Sequence, residues 1–105
     1  MKMHELQLSL KSHVILERSP DNGDVVLIDS QSGRMNACNE TASVILSQLE
    51  AGSTLPCLVD ALMKHFAVAD SVAVRDVNAF LDMLSAEGLL ETTERGAGAR
   101  RTRTA

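Results

Sequence analysis

Residues 33–52 read GRMNACNETASVILSQLEAG, and the change of period inside this stretch decides the fold. Arg34 to Cys38 follow a Ser-Gly turn and form a short run with weak β-propensity, readable as a strand only beside stronger neighbours. At Asn39 the period becomes helical. Asparagine is a good N-cap because its side-chain oxygen accepts one of the N–H groups that a first turn leaves unpaired, and Glu40 then favours the positive end of the helix dipole. Ala42, Ile45, Leu46 and Leu49 recur three and four apart, which places them on one helical face, and Gly52 supplies the stop.

Upstream, residues 13–18 and 24–29 are β-branched and apolar runs too short for helices. A turn holding Pro20, Asn22 and Gly23 separates them, and Ser-Gln-Ser-Gly precedes Arg34. The three runs predict a three-stranded antiparallel meander. Leu6 to Leu10 alternate apolar and polar residues, as a further strand would.

Downstream, Ser53 or Thr54 is the expected cap of a second helix with Pro56 in its first turn and the stripe Leu55, Leu58, Val59, Leu62, Met63 and Phe66. Asp70 or Ser71 is the expected cap of a third, with the stripe Val74, Val77, Phe80 or Leu81, and Leu84, ending at Gly88. Leu89 and Leu90 close the pattern. The fold class expected is α+β: a three-stranded meander followed by a three-helix bundle, a winged helix-turn-helix-like composition.

At 105 residues the chain is one domain. With 45% apolar but 2% aromatic residues, its core must be aliphatic, and the stacking platforms used on single-stranded nucleic acid are missing. Residues 95–105 carry Arg95, Arg100, Arg101 and Arg103 with no acid. Setting those four charges aside takes the formal −4 of the whole chain to −8 for residues 1–94. An acidic body repels phosphate backbones, so nucleic acid is not expected as a partner. The division expected is a folded domain over 1–94 and a basic, disordered tail over 95–105.

Cys38 and Cys57 sit in apolar surroundings without metal-ligand spacing and read as reduced, packed thiols. His4, His13 and His65 are scattered, so neither metal nor cofactor is expected. The N-terminus lacks the apolar run of a signal peptide, and nothing approaches the roughly 18 apolar residues of a membrane span. A cytoplasmic protein is expected.

The order of these features resembles the PqqD-like family. The resemblance rests on Asn39, Thr41, Ala42, Ile45, Leu49 and Gly52 at the strand-to-helix junction. Further along, Asp76, Val77, Phe80, Leu81, Leu84, Gly88, Leu89 and Leu90 match the family's closing helix. His13-Val14 and Val25 to Asp29 resemble its first two strands, so about residues 10–91 are covered. The chain departs from the pattern at the third strand, where an aromatic near Met35 or Asn36 and a leucine at Cys38 are usual.

The resemblance implies a non-catalytic recognition element that binds the leader segment of a ribosomally made precursor peptide. It would present that leader to a separate leader peptidase or other maturation enzyme, with the proportions of the stand-alone components of lasso-peptide clusters. The leader would add as a strand to Arg34, Met35, Asn36, Ala37 and Cys38, because an edge strand offers unpaired N–H and C=O groups. Val74, Asp76, Val77, Asn78, Leu81 and Asp82 of the third helix would line the groove, the two aspartates facing basic leader residues. By strand alternation Met35 and Ala37 share one face, and Arg34, Asn36 and Cys38 the other. Independently of any ligand, Val77, Phe80, Leu81 and Leu84 are core positions of an amphipathic helix, and Asp76 and Asp82 a solvated face.

Two other classes share parts of this pattern. A winged-helix DNA-binding regulator has the same coarse architecture but needs a basic recognition helix, and the third helix sets Arg75 against Asp76, Asp82 and Glu87. A carrier protein takes its phosphopantetheine arm on an Asp-Ser-apolar triplet such as Asp70-Ser71-Val72, yet has no leading meander. No phosphate loop, zinc pair or catalytic constellation is visible. Exposed strand edges leave the chain a monomer or a homodimer.

Overall fold

The computed structural model describes residues 6–19 and 24–94. The turn expected at Pro20, Asn22 and Gly23 and the basic tail from Arg95 lie outside the described residues. The order of elements is β1 (Leu6–Leu10), β2 (Val14–Arg18), β3 (Val25–Asp29), β4 (Arg34–Cys38), α1 (Glu40–Ala51), α2 (Leu55–Phe66), α3 (Asp70–Ala86) and β5 (Leu90–Glu94).

Strands β2, β3 and β4 form an antiparallel sheet in that order. Cross-strand partners share a face, so the register sorts the side chains. Val25 and Leu27, 2% and 1% exposed, turn inward, and their partners Cys38 and Asn36 share that face. Ile28 turns outward between Ile15 and Met35, which are 45% and 65% exposed. Arg34, paired with Asp29, follows the inward parity and Ala37, paired with Val26, the outward one.

The expected meander and three helices are not the whole architecture. A second, two-stranded sheet pairs β1 with β5 antiparallel, from Leu6 opposite Glu94 to Leu10 opposite Leu90. The other side of β1 meets the α1–α2 connection, where the Leu8 and Ser53 N–H groups each donate to the other residue's carbonyl, at 2.7 and 2.8 Å. Leu8 is thereby completely buried. Gly52 suits this crossing by its φ of +92°, and a Cβ there would also oblige the Gln7 side chain to move, its Nε2 lying 2.8 Å away.

Local chemistry sets the helix ends. The Ala42 N–H donates to Oδ1 of Asn39 at 2.8 Å, and the Cys57 N–H to Oγ1 of Thr54 at 3.4 Å. The third helix departs from expectation: Ala69 holds the N-cap position without a side-chain bond, and Asp70 falls in the first turn, where its charge still suits the dipole. At the other end of α3, Gly88 N–H bonds the Ser85 carbonyl at 3.1 Å and Leu89 N–H the Leu84 carbonyl at 2.9 Å. With Gly88 at φ +75°, this is a Schellman closure, and it drives Leu89 into the core against Leu84.

The core lies where the inward face of the meander, β1 and the three helical stripes meet. Ile45, Leu46 and Leu49 come from α1, Leu58 and Leu62 from α2, and Val77, Leu81 and Leu84 from α3, all 1% exposed or less. Its apolar contributors are aliphatic; the two phenylalanines pack only at its margin.

Candidate functional site

Among the described residues β4 pairs with β3 and with no other strand, so its second edge is open. Beside that strand runs a groove of about 420 Å³. Asn36, Ala37 and Cys38 form one wall, Phe80, Met83 and Glu87 the other, and Leu27 with the start of α1 (Asn39, Thr41, Ala42) completes the lining. The sequence accounts for this shape. The chain passes from β4 into α1 with only Asn39 between them, which places the beginning of α1 against the end of the strand, while α3 passes on the far side.

The groove mixes apolar lining (Leu27, Ala37, Ala42, Phe80, Met83) with polar groups (Asn36, Asn39, Thr41, Glu87), a composition suited to a site that binds by burial and orients by a few hydrogen bonds. Asn39 spends its side-chain oxygen on the α1 cap. The Cys38 thiol is half-buried and lies 3.6 Å from the Asn36 carbonyl. Burial pushes its pKa up against the opposing effect of a hydrogen bond with the Leu27 backbone, so it stays protonated at neutral pH. Cys57 is exposed on α2, away from the groove.

One ion pair joins the start of β4 to a residue of the groove. Nη1 of Arg34, at the start of β4, stands 3.8 Å from Oε1 of Glu87, just past the end of α3. The Arg34 side chain is 70% exposed and that of Glu87 is 35% exposed. The turn before Arg34 is held by Asp29. Its Oδ1 accepts the Gln31 N–H at 3.0 Å and the Ser32 N–H at 3.4 Å, and Gly33 N–H donates to the Asp29 carbonyl at 2.7 Å.

The residues expected at the site divide sharply. Asn36, Ala37 and Cys38 line the groove, and Arg34 stands at its end. Met35 points to the opposite, outward face with Ile28. On α3 none of the expected residues is among those lining this groove. Val77 and Leu81 are core residues, 0% and 1% exposed, and Val74 packs against the core margin. The Asn78 amide donates to the Val74 carbonyl at 3.0 Å, one turn back on its own helix. Asp76 lies 3.4 Å from Nε of Arg75, and Asp82 is exposed. The wall is made by Phe80, Met83 and Glu87 because these lie one step around the helix from the core stripe. Only Phe80 and Glu87 figured in the sequence reading at all, as a core residue and as acidic charge.

Among the described residues no three His, Cys, Asp or Glu side chains gather as a metal site, and no helix is long and apolar enough to cross a membrane.

The family described as coenzyme PQQ synthesis protein D (PqqD) matches residues 24–90. This chain belongs to that family. Three solved structures resemble it closely. TbiB1 in complex with the TbiA(beta) leader peptide is 30% identical with a TM-score of 0.71, covering 79% of this chain and 94% of that one. Lasso peptide synthetase B1 complexed with the leader peptide is 26% identical with a TM-score of 0.68, over 80% and 96%. The PqqD truncation of Methylobacterium extorquens PqqCD, a stand-alone RiPP recognition element, shares the fold at 18% identity and a TM-score of 0.65, over 81% and 88%. No curated protein sequence matches the chain.

Proposed function

We propose that this chain is a non-catalytic recognition element that binds the leader segment of a ribosomally made precursor peptide and presents it to a separate leader peptidase or other maturation enzyme of a lasso-type pathway. The leader adds as a strand to β4 and lays alternate side chains between Phe80 and Met83 on one side and Asn36 and Cys38 on the other. The observation that carries this reading is the open edge of β4 beside a groove lined in part by Leu27, Phe80 and Met83, in a fold similar to two proteins solved with leader peptides. Backbone pairing supplies affinity that depends little on sequence, and the groove supplies selection.

On this reading residues 1–94 form the recognition domain, 95–105 a basic appendage, and no cofactor takes part. The site comprises Arg34, Asn36, Ala37 and Cys38 on the strand, joined by Phe80, Met83 and Glu87. Of the α3 residues expected from sequence, Asp76 keeps a place at the margin, one turn before Phe80. The protein acts in the cytoplasm, where a precursor leaves the ribosome. The winged-helix-like arrangement serves peptide rather than DNA, because α3 offers Arg75 alone as a cation and pairs it with Asp76.

The test is titration of the isotope-labelled chain with the leader half of any precursor peptide encoded beside it, read by amide NMR. Saturable shifts concentrated on 34–42 and 80–88 are expected. Absence of binding at 100 µM, or shifts confined to 95–105, would sink the proposal.

A further inference from the structure

We propose that Glu87 reads a positive charge on the leader, and that Arg34 occupies the place of that charge until the leader arrives. The inference deepens the leader-binding reading and rests on it.

A strand added to the free edge of β4 must lie between β4 and α3, and so must pass the line joining Arg34 to Glu87. At 3.8 Å, with the arginine 70% exposed, this pair is long and solvated and holds the gap only weakly. Its two members are not equivalent. Glu87 lines the groove and is the less exposed, whereas Arg34 does not line it and reaches across from outside. An incoming strand therefore meets the carboxylate and displaces the guanidinium outward.

The surroundings favour a cation as the newcomer. On α3 the groove is lined by Phe80, Met83 and Glu87, and Asp76 falls one turn before Phe80 by helical spacing. The charge facing Asp76 comes from Arg75 beside it on the helix, at 3.4 Å. No lysine or arginine lines the groove, and the side chains at the start of α1 that do, Asn39, Thr41 and Ala42, are uncharged. A leader lysine or arginine can therefore take Glu87 through a charge-assisted hydrogen bond.

The two halves of one ion pair should then have opposite effects. The full chain and its Glu87→Gln and Arg34→Ala variants are titrated by calorimetry with the leader half of the adjacent precursor. A second peptide has every lysine and arginine replaced by glutamine. Glu87→Gln is expected to weaken binding of the first peptide about fivefold, and Arg34→Ala to tighten it about twofold. The glutamine peptide should not distinguish wild type from Glu87→Gln. Weakening by Arg34→Ala overturns the inference, since Arg34 would then be a clamp or a carboxylate receptor. So does binding indifferent to Glu87, or tight binding of a leader that carries neither lysine nor arginine. In each of these cases the recognition reading stands. Failure of the wild-type chain to bind either peptide overturns both.

Discussion

Nε2 of His13, at the head of β2, stands 3.7 Å from Oδ1 of Asp29, at the end of β3, with both side chains 18% exposed. The same carboxylate organises the turn into β4, and the Ser30 N–H and hydroxyl both bond the His13 carbonyl, at 2.9 and 2.8 Å. One acidic group thus ties the outer strand of the meander to the turn that aims the edge strand.

Burial pulls the Asp29 pKa up. The Gln31 N–H, the Ser32 hydroxyl and N–H, and the attraction of His13 together outweigh it and hold the group below its ordinary 3.8. A depressed carboxylate adds stability that is fully present above the unfolded pKa and lost as pH falls through the folded one. The stability advantage of wild type over Asp29→Asn should therefore be present above about pH 5 and shrink progressively as pH falls through 3.8 and below. Urea midpoints measured between pH 2 and 7 check this; a difference independent of pH would contradict it.

Ala67 closes α2 with φ 54° and ψ 42°, and its N–H bonds the Met63 carbonyl at 2.9 Å. A Cβ costs about 1 kcal/mol in this left-handed region. Ala67→Gly should stabilise the chain by about 0.5–1 kcal/mol despite the added freedom of the unfolded state, and Ala67→Val should destabilise it. Thermal melts would read both signs.

Met83 and Leu81 are two residues apart on α3, yet one lines the groove at 37% exposure and the other is 1% exposed in the core. Met83→Ala should change stability by less than about 0.5 kcal/mol while weakening leader binding severalfold. Leu81→Ala should cost about 2–5 kcal/mol of stability. Paired unfolding and binding measurements on the two variants separate the roles.

The thiols should react in two phases. Exposed Cys57 should modify first with a maleimide at pH 7, and half-buried Cys38, whose pKa burial raises, much later. Bound leader should slow the second phase and leave the first unchanged, as mass spectrometry of the labelled peptides would show.

Much of this architecture is legible in the residues. Val25 to Asp29, β-branched and apolar, can only be a covered strand. The caps at Asn39 and Thr54 use short oxygen-bearing side chains whose reach is known in advance. The face of α3 that meets the groove is another matter. A 3.6-residue period groups Val77, Leu81 and Leu84 correctly, but it cannot say whether Phe80 and Met83, at the edge of that stripe, meet core, water or a gap. That depends on where β4 lies, and Arg34 to Cys38 carry too little apolar signal to reveal it. Glu87 continues the spacing of Phe80 and Met83 only at the C-cap, one residue past the last residue of α3, where an acid reads first as solvated charge. The strand at Leu90–Glu94 is hidden for a related reason: its residues after Leu90 are polar, and pairing with β1, not their own pattern, makes it a strand.

That last pairing orders events during synthesis. Leu6 and Glu94 are register partners separated by nearly all of the described chain, so β1 must wait for its partner until the last strand has left the ribosome. Until then Leu8 can be held only by Ser53, and the apolar strand at the head of the chain is open to chaperones or to a neighbouring nascent copy. The meander and α1, built from contacts between near neighbours in sequence, face no such delay. The emerging chain can therefore shape the edge it offers to a peptide before it can fasten its own two ends.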